Sequence, residues 1–350
     1  MASDSEKLTG ALGLASLTGG SISKDKVKEA VCGYEQYHAQ YGGDAQGRKA
    51  LYADMVNKYY DLATSFYEYG WGESFHFAHR HKNETLRESI RRHQHYLALR
   101  LGLKPGMKVL DVGCGIGGPL REIAIFSGAS ITGLNNNQFQ VARGTALNKA
   151  AGLDKTCDYL KADFMKMPIA DSSYDAAYAI EATCHAPSPV ECYREICRVL
   201  KPGQCFAGYE WCVTDAYNAD DPVHRKCKED IEIGDGLPDL QSCSQCVEAL
   251  KGAGFEVIMT EDLAKSSAIP WYYPLARGFG LSEFRLTSFG RFFTRRLVWL
   301  LETLRVAPVG TTQVSRFLET ASHGLVAGGK REIFTPMFFF LVRKPAKAAS

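Results

Sequence analysis

The stretch Val109-Leu-Asp-Val-Gly-Cys-Gly-Ile-Gly-Gly118 decides how this chain folds. It continues a short apolar run, residues 108–112, into closely spaced glycines. An apolar run that ends in glycines predicts a buried strand, and residues 116–126 predict a helix directly after it. Glycines at such a strand-to-helix turn let the backbone approach a ligand closely. The stretch therefore predicts a ligand site at the end of a buried strand.

The alternation of strand and helix continues beyond this turn. We predict strands near residues 130–134, 157–162, 174–180, 205–211, 255–259 and 333–342, and helices at 136–151, 189–200 and 241–253. Strands and helices that alternate in this way predict an α/β fold, in which a parallel sheet is covered by helices on both faces.

Asp111 distinguishes between two classes of cofactor that the glycines could bind. The glycines alone fit a dinucleotide equally well, because pyrophosphate binds at turns of this kind. A carboxylate two positions before Gly113 would repel pyrophosphate, but it suits a ligand with an ammonium and a sulfonium group. The strand-Asp-x-Gly-x-Gly form resembles the first motif of the Rossmann-like class I methyltransferases. This resemblance implies S-adenosyl-L-methionine as the cofactor.

The resemblance places that cofactor at the carboxyl ends of successive strands. Asn135 stands where the family usually has an acidic residue for the ribose hydroxyls, and it can accept one such hydrogen bond without charge. Asp163 matches the position that receives the adenine amino group, and Glu181 faces the methionine half. Each acid taken alone could instead cap a helix or lie in a solvated loop. The complete predicted cofactor set is Asp111, Gly113, Cys114, Gly115, Gly117, Asn135, Asp163, Phe164 and Glu181.

Four segments resemble the sterol 24-C-methyltransferase family closely: residues 66–77 (FYEYGWGESFHF), the glycine motif to Arg121, residues 178–187 (YAIEATCHAP) and residues 232–238 (EIGDGLP). The resemblance runs from about Tyr34 to Lys344. Residues 57–64 and 329–336 look most like the plant and green-algal branch, which favours cycloartenol. The resemblance implies methyl transfer to carbon 24 of a sterol with an unsaturated side chain. A carbocation, a hydride shift and loss of a proton then give a 24-methylene sterol.

The chemistry of an alkene acceptor explains the aromatic segment. An isolated alkene attacks the sulfonium methyl directly and leaves a carbocation, which electron-rich ring faces stabilise without trapping it. Alternation at odd positions would place these rings on one side if the segment is extended. An aromatic stripe can equally be ordinary core. The predicted substrate-binding set is Tyr67, Tyr69, Trp71, Phe75, Phe77 and Asp235.

A general base must then remove the proton from the new methyl group, directly or through one water. The candidates are Glu68, His76, Glu181, His185 and Asp235, and Tyr67 completes the predicted catalytic set. Glu181 and His185 rank first because they share the loop nearest the sulfonium. His185 taken alone could be an ordinary loop histidine. Asp235 and Glu68 are alternatively predicted to anchor the sterol's polar end or to shape the pocket.

The composition divides the chain into regions. We predict a loose leader at 1–30, an aromatic lid and helix at 31–101 (the helix from Asn83 to Leu101), the Rossmann-like core at 102–264, an inserted helical sterol-binding cap at 265–332, the last strand at 333–345 and a tail at 346–350. Residues 289–304 mix cationic and large apolar side chains on a predicted helix. Such a helix suits a membrane interface, or packs on its own core. Cap aromatics predicted to line a sterol groove are Trp271, Tyr272, Tyr273, Phe279, Phe284 and Phe289.

Charge and cysteine usage exclude several functions. The formal net charge is +2 without a charged block, which argues against a nucleic-acid partner. No apolar run approaches the roughly 20 residues of a membrane-spanning helix. The 11 cysteines lack the spacing of a secreted disulfide framework, and Cys243 and Cys246 are expected to be ordinary residues on one helix face. No metal site is evident.

The substrate and the resemblance together predict peripheral association with the cytoplasmic face of the endoplasmic reticulum, and a homo-oligomer. Two alternatives stay open. One is another small-molecule methyltransferase, acting on a phosphobase amine or an acyl-chain alkene. The other is a non-catalytic module that binds S-adenosylmethionine.

Overall fold

The computed structural model of the protein describes residues 27–29, 31–34, 45–50, 52–277 and 284–346. Its centre is one seven-stranded sheet. The strands are β1 (Lys108–Val112), β2 (Ser130–Asn135), β3 (Cys157–Lys161), β4 (Tyr174–Ile180), β5 (Leu200–Val213), β6 (Glu256–Asp262) and β7 (Phe334–Arg343). They lie side by side in the order β3-β2-β1-β4-β5-β7-β6. The predicted α/β fold is confirmed.

The last strand departs from the predicted parallel sheet. Strands β1 to β5 pair in parallel, whereas β7 runs antiparallel to both β5 and β6. The reason lies in the inserted cap, which leaves the sheet after β6 and returns at the same edge. Asp262, the last residue of β6, therefore pairs with Phe338 in β7, and β7 must run back in the opposite direction.

The helices cover both faces of the sheet. Within the described part of residues 45–346 they are α1 (Ala45–Ala50), α2 (Tyr52–Trp71), α3 (Leu86–Leu101), α4 (Gly118–Ser127), α5 (Gln138–Ala150), α6 (Pro189–Val199), α7 (Pro222–Asp235), α8 (Cys243–Gly252), α9 (Tyr273–Arg277), α10 (Ser288–Thr303) and α11 (Thr311–Lys330). Successive residues of β1 pack into the hydrophobic cores on opposite faces of the sheet: Val109 packs with α3 and α4, and Leu110 packs with α6 and α8. Burial on both faces explains why this strand is continuously apolar.

The aromatic segment at residues 66–77 is only partly extended. Helix α2 continues to Trp71, so Tyr67, Tyr69 and Trp71 do not have the extended conformation on which the alternation of these rings depended. The chain leaves the helical conformation at Gly72, whose φ is +81°. Phe75 and Phe77 follow in irregular backbone. Side chains that are three, four or seven residues apart lie on the same face of a helix, and this spacing places Tyr60, Tyr67 and Trp71 together.

The cap packs on the rest of the protein where its helix α11 crosses α7, and the sequence patterns resolved neither of these long helices. They approach closely where small residues meet, because a Cβ on Gly234 would lie 2.6 Å from the Cα of Ala321. This crossing fixes Asp235, the last residue of α7, against the cap. Most of the predicted leader, Phe279 and most of the predicted tail lie outside the described residues.

Three other expectations concern the cysteine pair, membrane-spanning helices and metal sites. Cys243 and Cys246 lie on α8, and both thiols are free. Within the described ranges no helix combines the length and the apolar character that a membrane span requires. The same residues contain no cluster of three side chains suited to a metal ion.

Candidate functional site

Two adjoining cavities open at the carboxyl ends of β1 and β4. The first, here called the glycine-side cavity, is lined by Asp111, Gly113 and Gly115 among others and contains about 820 Å³ of empty space, part of it open to solvent. The second, the aromatic cavity, is lined by Tyr67 and Trp71 among others and contains about 1130 Å³, also partly open. The residues that line both, which we call the junction, are Tyr60, Phe75, His76, Glu181 and His185.

The glycine-side cavity is shaped by backbone conformation. Gly113, Gly115 and Gly117 have φ values of +77°, +55° and +79°, which disfavour any other residue. A Cβ on Gly113 would also lie 2.5 Å from the Cβ of Ala182 in the opposite wall. The turn therefore needs glycine at this position both for its conformation and for the space it leaves.

Asp111 gives this cavity a buried acid. Its side chain is 2% exposed, and its Oδ2 has no hydrogen-bond partner among the described residues. Burial raises the pKa of Asp111 to about 7. A carboxylate with one unpartnered oxygen, at the wall of a cavity, fits the cationic ammonium group of S-adenosylmethionine. The residues present thus suit that cofactor.

The other predicted cofactor residues divide into two groups. Cys114, Asn135, Phe164 and Glu181 line the glycine-side cavity, and Asn136 and Gln140 join them although the sequence patterns did not single them out. The Asn135 amide donates to Gln140 Oε1 at 2.8 Å, and its Oδ1 accepts from the Asn137 N–H at 3.1 Å. Its side chain is therefore oriented by the protein itself.

Gly117 and Asp163 lie beside this cavity without lining it. Gly117 precedes α4 and packs against Tyr159, whose hydroxyl would be 2.2 Å from an added Cβ. Asp163 accepts from the backbone N–H of Met165 at 2.8 Å, which stabilises the turn after β3. For these two residues the structure provides a conformational role, and the assigned cofactor contacts stay predictions.

Glu181 is the buried carboxylate of the junction. Its Oε1 accepts from the Phe77 N–H at 2.7 Å, and its Oε2 accepts from the Trp211 indole N–H at 2.8 Å. Its φ of +53° is rare for a residue with a side chain and costs on the order of 1–3 kcal/mol. Burial raises the pKa of Glu181 well above its ordinary value. The fold therefore holds this acid in one orientation at a strained position, where a nearby cation would favour its ionised form.

His185 lies in the junction in a fixed tautomer. Its Nδ1 is 3.2 Å from the carbonyl oxygen of Gly236, which can only accept, so Nδ1 carries the proton. Its Nε2 then accepts from the Tyr60 hydroxyl at 2.9 Å. Burial lowers the pKa of His185 to about 4, which keeps the ring neutral near pH 7. Tyr60 lies in the region predicted as an aromatic lid but is not among the predicted site residues, although its helical spacing to Tyr67 indicates that the two share a face.

Asp235 is the acid of the aromatic cavity. Tyr59 donates to the Tyr67 oxygen at 2.7 Å, and Tyr67 donates to Asp235 Oδ1 at 3.2 Å. Asp235 Oδ2 has no partner among the described residues. Burial raises the pKa of Asp235 to about 7, against a smaller lowering by the Tyr67 hydrogen bond. One oxygen of this acid thus remains available to accept a proton near neutral pH.

The two remaining acid–base candidates have other partners. His76 belongs to the junction, but its Nδ1 donates to the Phe77 carbonyl at 2.7 Å and its Nε2 accepts from the Gln94 amide at 2.7 Å. Burial lowers the pKa of His76 to about 4. Glu68 lines neither cavity, and its carboxylate is ion-paired with Arg143 of α5. The structure therefore gives no geometric support to Glu68 as a base or a sterol anchor.

The aromatic rings predicted to bind the substrate line one cavity, but they come from a helix and the irregular segment that follows it. Tyr67, Tyr69, Trp71, Phe75 and Phe77 all line the aromatic cavity.

The prediction for the cap aromatics fails in the described residues. The Trp271 ring packs behind the cavity wall, 5.0 Å from the Phe77 ring centroid, and Phe284 and Phe289 are exposed. Tyr272 and Tyr273 do not line this cavity either. The cap contributes Leu275, Leu286, Arg291, Thr294, Ser315, Leu318, Glu319, Ala321, Ser322 and Leu325.

Comparisons with known proteins agree with this geometry. A methyltransferase domain family matches residues 110–207, and the sterol methyltransferase C-terminal family matches residues 281–346. The chain is 65% identical to cycloartenol-C-24-methyltransferase 1 of Oryza sativa subsp. japonica, over 96% of this chain and 98% of the relative. It is 47% identical to sterol 24-C-methyltransferase ERG6 of Saccharomyces cerevisiae, over 92% and 87%.

A solved structure extends the comparison to the fold. The cyclopropane synthase MmaA2 from Mycobacterium tuberculosis superposes with a TM-score of 0.65 at 16% identity, over 83% of this chain and 98% of the other. At this identity the likeness concerns the fold alone. The identity to the plant and yeast relatives over nearly the whole chain shows more: this protein belongs to the sterol 24-C-methyltransferase family.

Proposed function

We propose that this protein transfers the methyl group of S-adenosyl-L-methionine to carbon 24 of a sterol with an unsaturated side chain, with cycloartenol as the favoured acceptor. One observation carries the proposal beside the family relationship. The glycine-side cavity, with a buried carboxylate that keeps one unpartnered oxygen, adjoins the aromatic cavity, and Glu181 lines both. Such an arrangement can hold a cationic methyl donor against a flat apolar acceptor.

The glycine-side cavity would hold the cofactor, which supplies an electrophilic methyl group. Asp111 would receive its ammonium group, and the backbone at Gly113 and Gly115 would allow close approach. Asn135 would accept from a ribose hydroxyl, and Asp163 with Phe164 would contact the adenine. Asp111, Asn135 and Asp163 lie at or next to the carboxyl ends of β1, β2 and β3, which is the usual ligand edge of open α/β sheets.

The aromatic cavity would stabilise the cation that the sterol side chain carries after methyl transfer. Ring faces of Tyr67, Trp71 and Phe75 supply negative electrostatic potential without a nucleophilic atom, each about 1–2 kcal/mol when desolvated. Glu181, held by two N–H donors, adds a negative charge at the junction once a nearby cation favours its ionised form. A fixed carboxylate of this kind stabilises developing positive charge without moving.

Asp235 is the proton acceptor that the geometry favours. Both nitrogens of His185 are engaged in hydrogen bonds, and both oxygens of Glu181 accept N–H groups. Asp235 keeps one oxygen without a partner, and its pKa of about 7 suits proton transfer near neutral pH. After the hydride shift, this oxygen would take a proton from the new methyl group, directly or through one water. The product is a 24-methylene sterol.

The first test is incubation of the purified protein with methyl-labelled S-adenosylmethionine and a panel of cycloartenol, zymosterol, lanosterol and phosphoethanolamine. We expect label in a 24-methylene sterol, with the highest turnover on cycloartenol, read by mass spectrometry. Turnover of zymosterol alone would overturn the acceptor preference. Label in the amine alone, or cofactor binding without turnover, would overturn the sterol proposal.

We also propose that α10 contacts a membrane surface, where a sterol substrate resides. Several large apolar side chains of this helix are exposed, among them Phe289 at 63% and Trp299 at 54%. Arg295 and Arg296 lie 5.8 and 5.3 Å from the Phe292 ring centroid, which places cations beside the apolar residues. Exposed rings next to cations suit a lipid interface. Location at the cytoplasmic face of the endoplasmic reticulum and homo-oligomer formation stay predictions.

A further inference from the structure

The polar groups of the aromatic cavity fall into two sets. The first set is at or near the junction and includes Glu181, His185 and Asp235. The second set lies on the cap helices α10 and α11 and does not line the glycine-side cavity: Arg291, Thr294, Ser315, Glu319 and Ser322. The proposed chemistry uses the first set and leaves the second without a role.

Arg291 and Glu319 form the centre of the second set. Arg291 Nε donates to Glu319 Oε2 at 3.0 Å, and the two side chains are 13% and 22% exposed. Arg291 Nη1 donates to the carbonyls of Leu275 at 2.7 Å and Leu286 at 2.6 Å. Arg291 Nη2 makes no hydrogen bond with a described residue. The guanidinium is thus fixed by three bonds and keeps one nitrogen free to donate.

Glu319 also has capacity for one more partner. Its Oε1 lies 3.2 Å from Nε2 of His323, whose side chain is 69% exposed. A carboxylate oxygen has two lone-pair directions, so Oε1 can accept a further hydrogen bond. The pair therefore offers one strong donor and one strong acceptor side by side. Burial of an ion pair in an apolar wall is costly, and such a pair is weak evidence for stability alone.

The position of this pair along α11 can be measured from the chemical end of the cavity. Glu181 binds the indole of Trp211, whose ring packs 5.4 Å from Phe334. Gly328 of α11 lies against Phe334, because an added Cβ would be 3.2 Å from the Phe334 Cβ. Glu319 precedes Gly328 by nine residues, about 14 Å along the helix axis. The ion pair thus lies about 14 Å along α11 from Gly328, the part of this helix that packs near Trp211 and so near the residue that binds Glu181.

A sterol is apolar except for one hydroxyl group on the ring at the end opposite its side chain. If carbon 24 is at the junction, that hydroxyl must lie at the far end of the cavity. We propose that Arg291 and Glu319 bind the 3-hydroxyl group of the sterol, with the hydroxyl donating to Glu319 Oε1 and accepting from Arg291 Nη2. This inference rests on the proposed function and replaces Asp235 and Glu68 as the expected anchors of the sterol's polar end.

The test compares cycloartenol with its 3-deoxy analogue in the unmodified protein and in Glu319→Gln. A hydrogen bond to a charged group predicts that the protein uses the deoxy analogue about 10- to 100-fold less well by kcat/KM. In Glu319→Gln we expect the same loss on cycloartenol and little further difference between the two sterols. A purely structural ion pair would lower kcat/KM for both sterols equally.

Glu191→Gln is the matched control, because Glu191 forms an ion pair with Arg194 on the surface and both side chains are more than half exposed. It should behave as the unmodified protein with both sterols. Equal use of the two sterols by the unmodified protein, or an equal loss on both in Glu319→Gln, would overturn the inference. If the unmodified protein methylates no sterol, the proposed function itself fails, and the two failures are thereby distinguished.

Discussion

The glycine-side cavity and the aromatic cavity are built in contrasting ways. Residues 111–116 form much of the first wall in one continuous turn, held by positive φ angles. The second wall draws on residues from Tyr60 to Leu325, contributed by α2, β5, α7 and the cap. A local turn needs particular residues at fixed spacing, whereas an assembled wall needs only that distant side chains meet. The first cavity is therefore sensitive to backbone changes and the second to side-chain changes.

The largest expected effect concerns the acid of the aromatic cavity. Asp235→Asn keeps the shape and the Tyr67 hydrogen bond but removes the proton-accepting oxygen. We expect kcat with cycloartenol to fall by about 10²- to 10⁴-fold, the range of general-base catalysis. Binding of S-adenosylmethionine, measured by calorimetry, should change little, because Asp235 does not line the glycine-side cavity. Unchanged turnover would exclude Asp235 as the base.

The glycine-side cavity should respond to a single methyl group. In Gly113→Ala the positive φ and the contact of 2.5 Å with Ala182 together cost about 2–5 kcal/mol. We expect this cost in cofactor affinity or in the free energy of unfolding, measured by calorimetry and by denaturant titration.

Gly115→Ala is the matched control for this prediction. Its φ of +55° is also positive, but the nearest atom to an added Cβ, Phe75 Cδ2, is 3.9 Å away. The cost should fall to about 1–2 kcal/mol. Equal effects of the two variants would show that the Ala182 contact does not matter.

The pH dependence of the unfolding free energy tests the raised pKa of Asp235. Its pKa is about 7 in the folded protein against an ordinary value of 3.8, so the folded state holds a proton that the unfolded chain releases. The contribution to stability is therefore lost as the pH rises through 7. Relative to the unmodified protein, Asp235→Asn should gain about 2–3 kcal/mol in unfolding free energy between pH 5 and pH 8.

The unfolding free energy of Asp235→Asn is compared with that of the unmodified protein at each pH. This difference cancels the opposing contribution of buried histidines such as His76 and His185, whose pKa values are lowered to about 4. Those histidines favour the folded state as the pH rises, and they are present in both proteins. A difference that stays constant from pH 5 to pH 8 would contradict a raised pKa for Asp235.

The smallest expected effect lies outside both cavities, on α10. The double variant Phe289→Ser with Trp299→Ser should weaken sedimentation with anionic phospholipid vesicles by about 3- to 10-fold, since two exposed rings leave the interface. Leu99→Ser is the control, because Leu99 is 67% exposed on α3. Cofactor binding should not change in either variant. Equal vesicle binding by all three proteins would contradict the proposed membrane contact.

The two cavities also differ in how far the sequence predicted them. Asp111, Gly113 and Cys114 could be assigned from one motif, because residues close in sequence form one turn. The aromatic cavity was predicted in its rings but not in its construction, because Tyr67, Tyr69 and Trp71 lie on helix α2 and not in an extended segment. Arg291 and Glu319 carried no sequence signal, since a cation and an acid 28 positions apart acquire meaning only when α10 and α11 pack together.

The sequence by itself determined three things: a glycine turn after β1, acids and amides at the ends of later strands, and membership of the family through 65% identity over nearly the whole chain. Tertiary structure alone decided that β7 runs antiparallel, that Glu68 pairs with Arg143, and that Glu181 lies between two cavities. The physical reason is the range of the interactions. Turn conformation and strand burial depend on neighbours in the chain, whereas a cavity wall, an ion pair between helices and the pKa of a buried acid depend on which distant residues exclude water together.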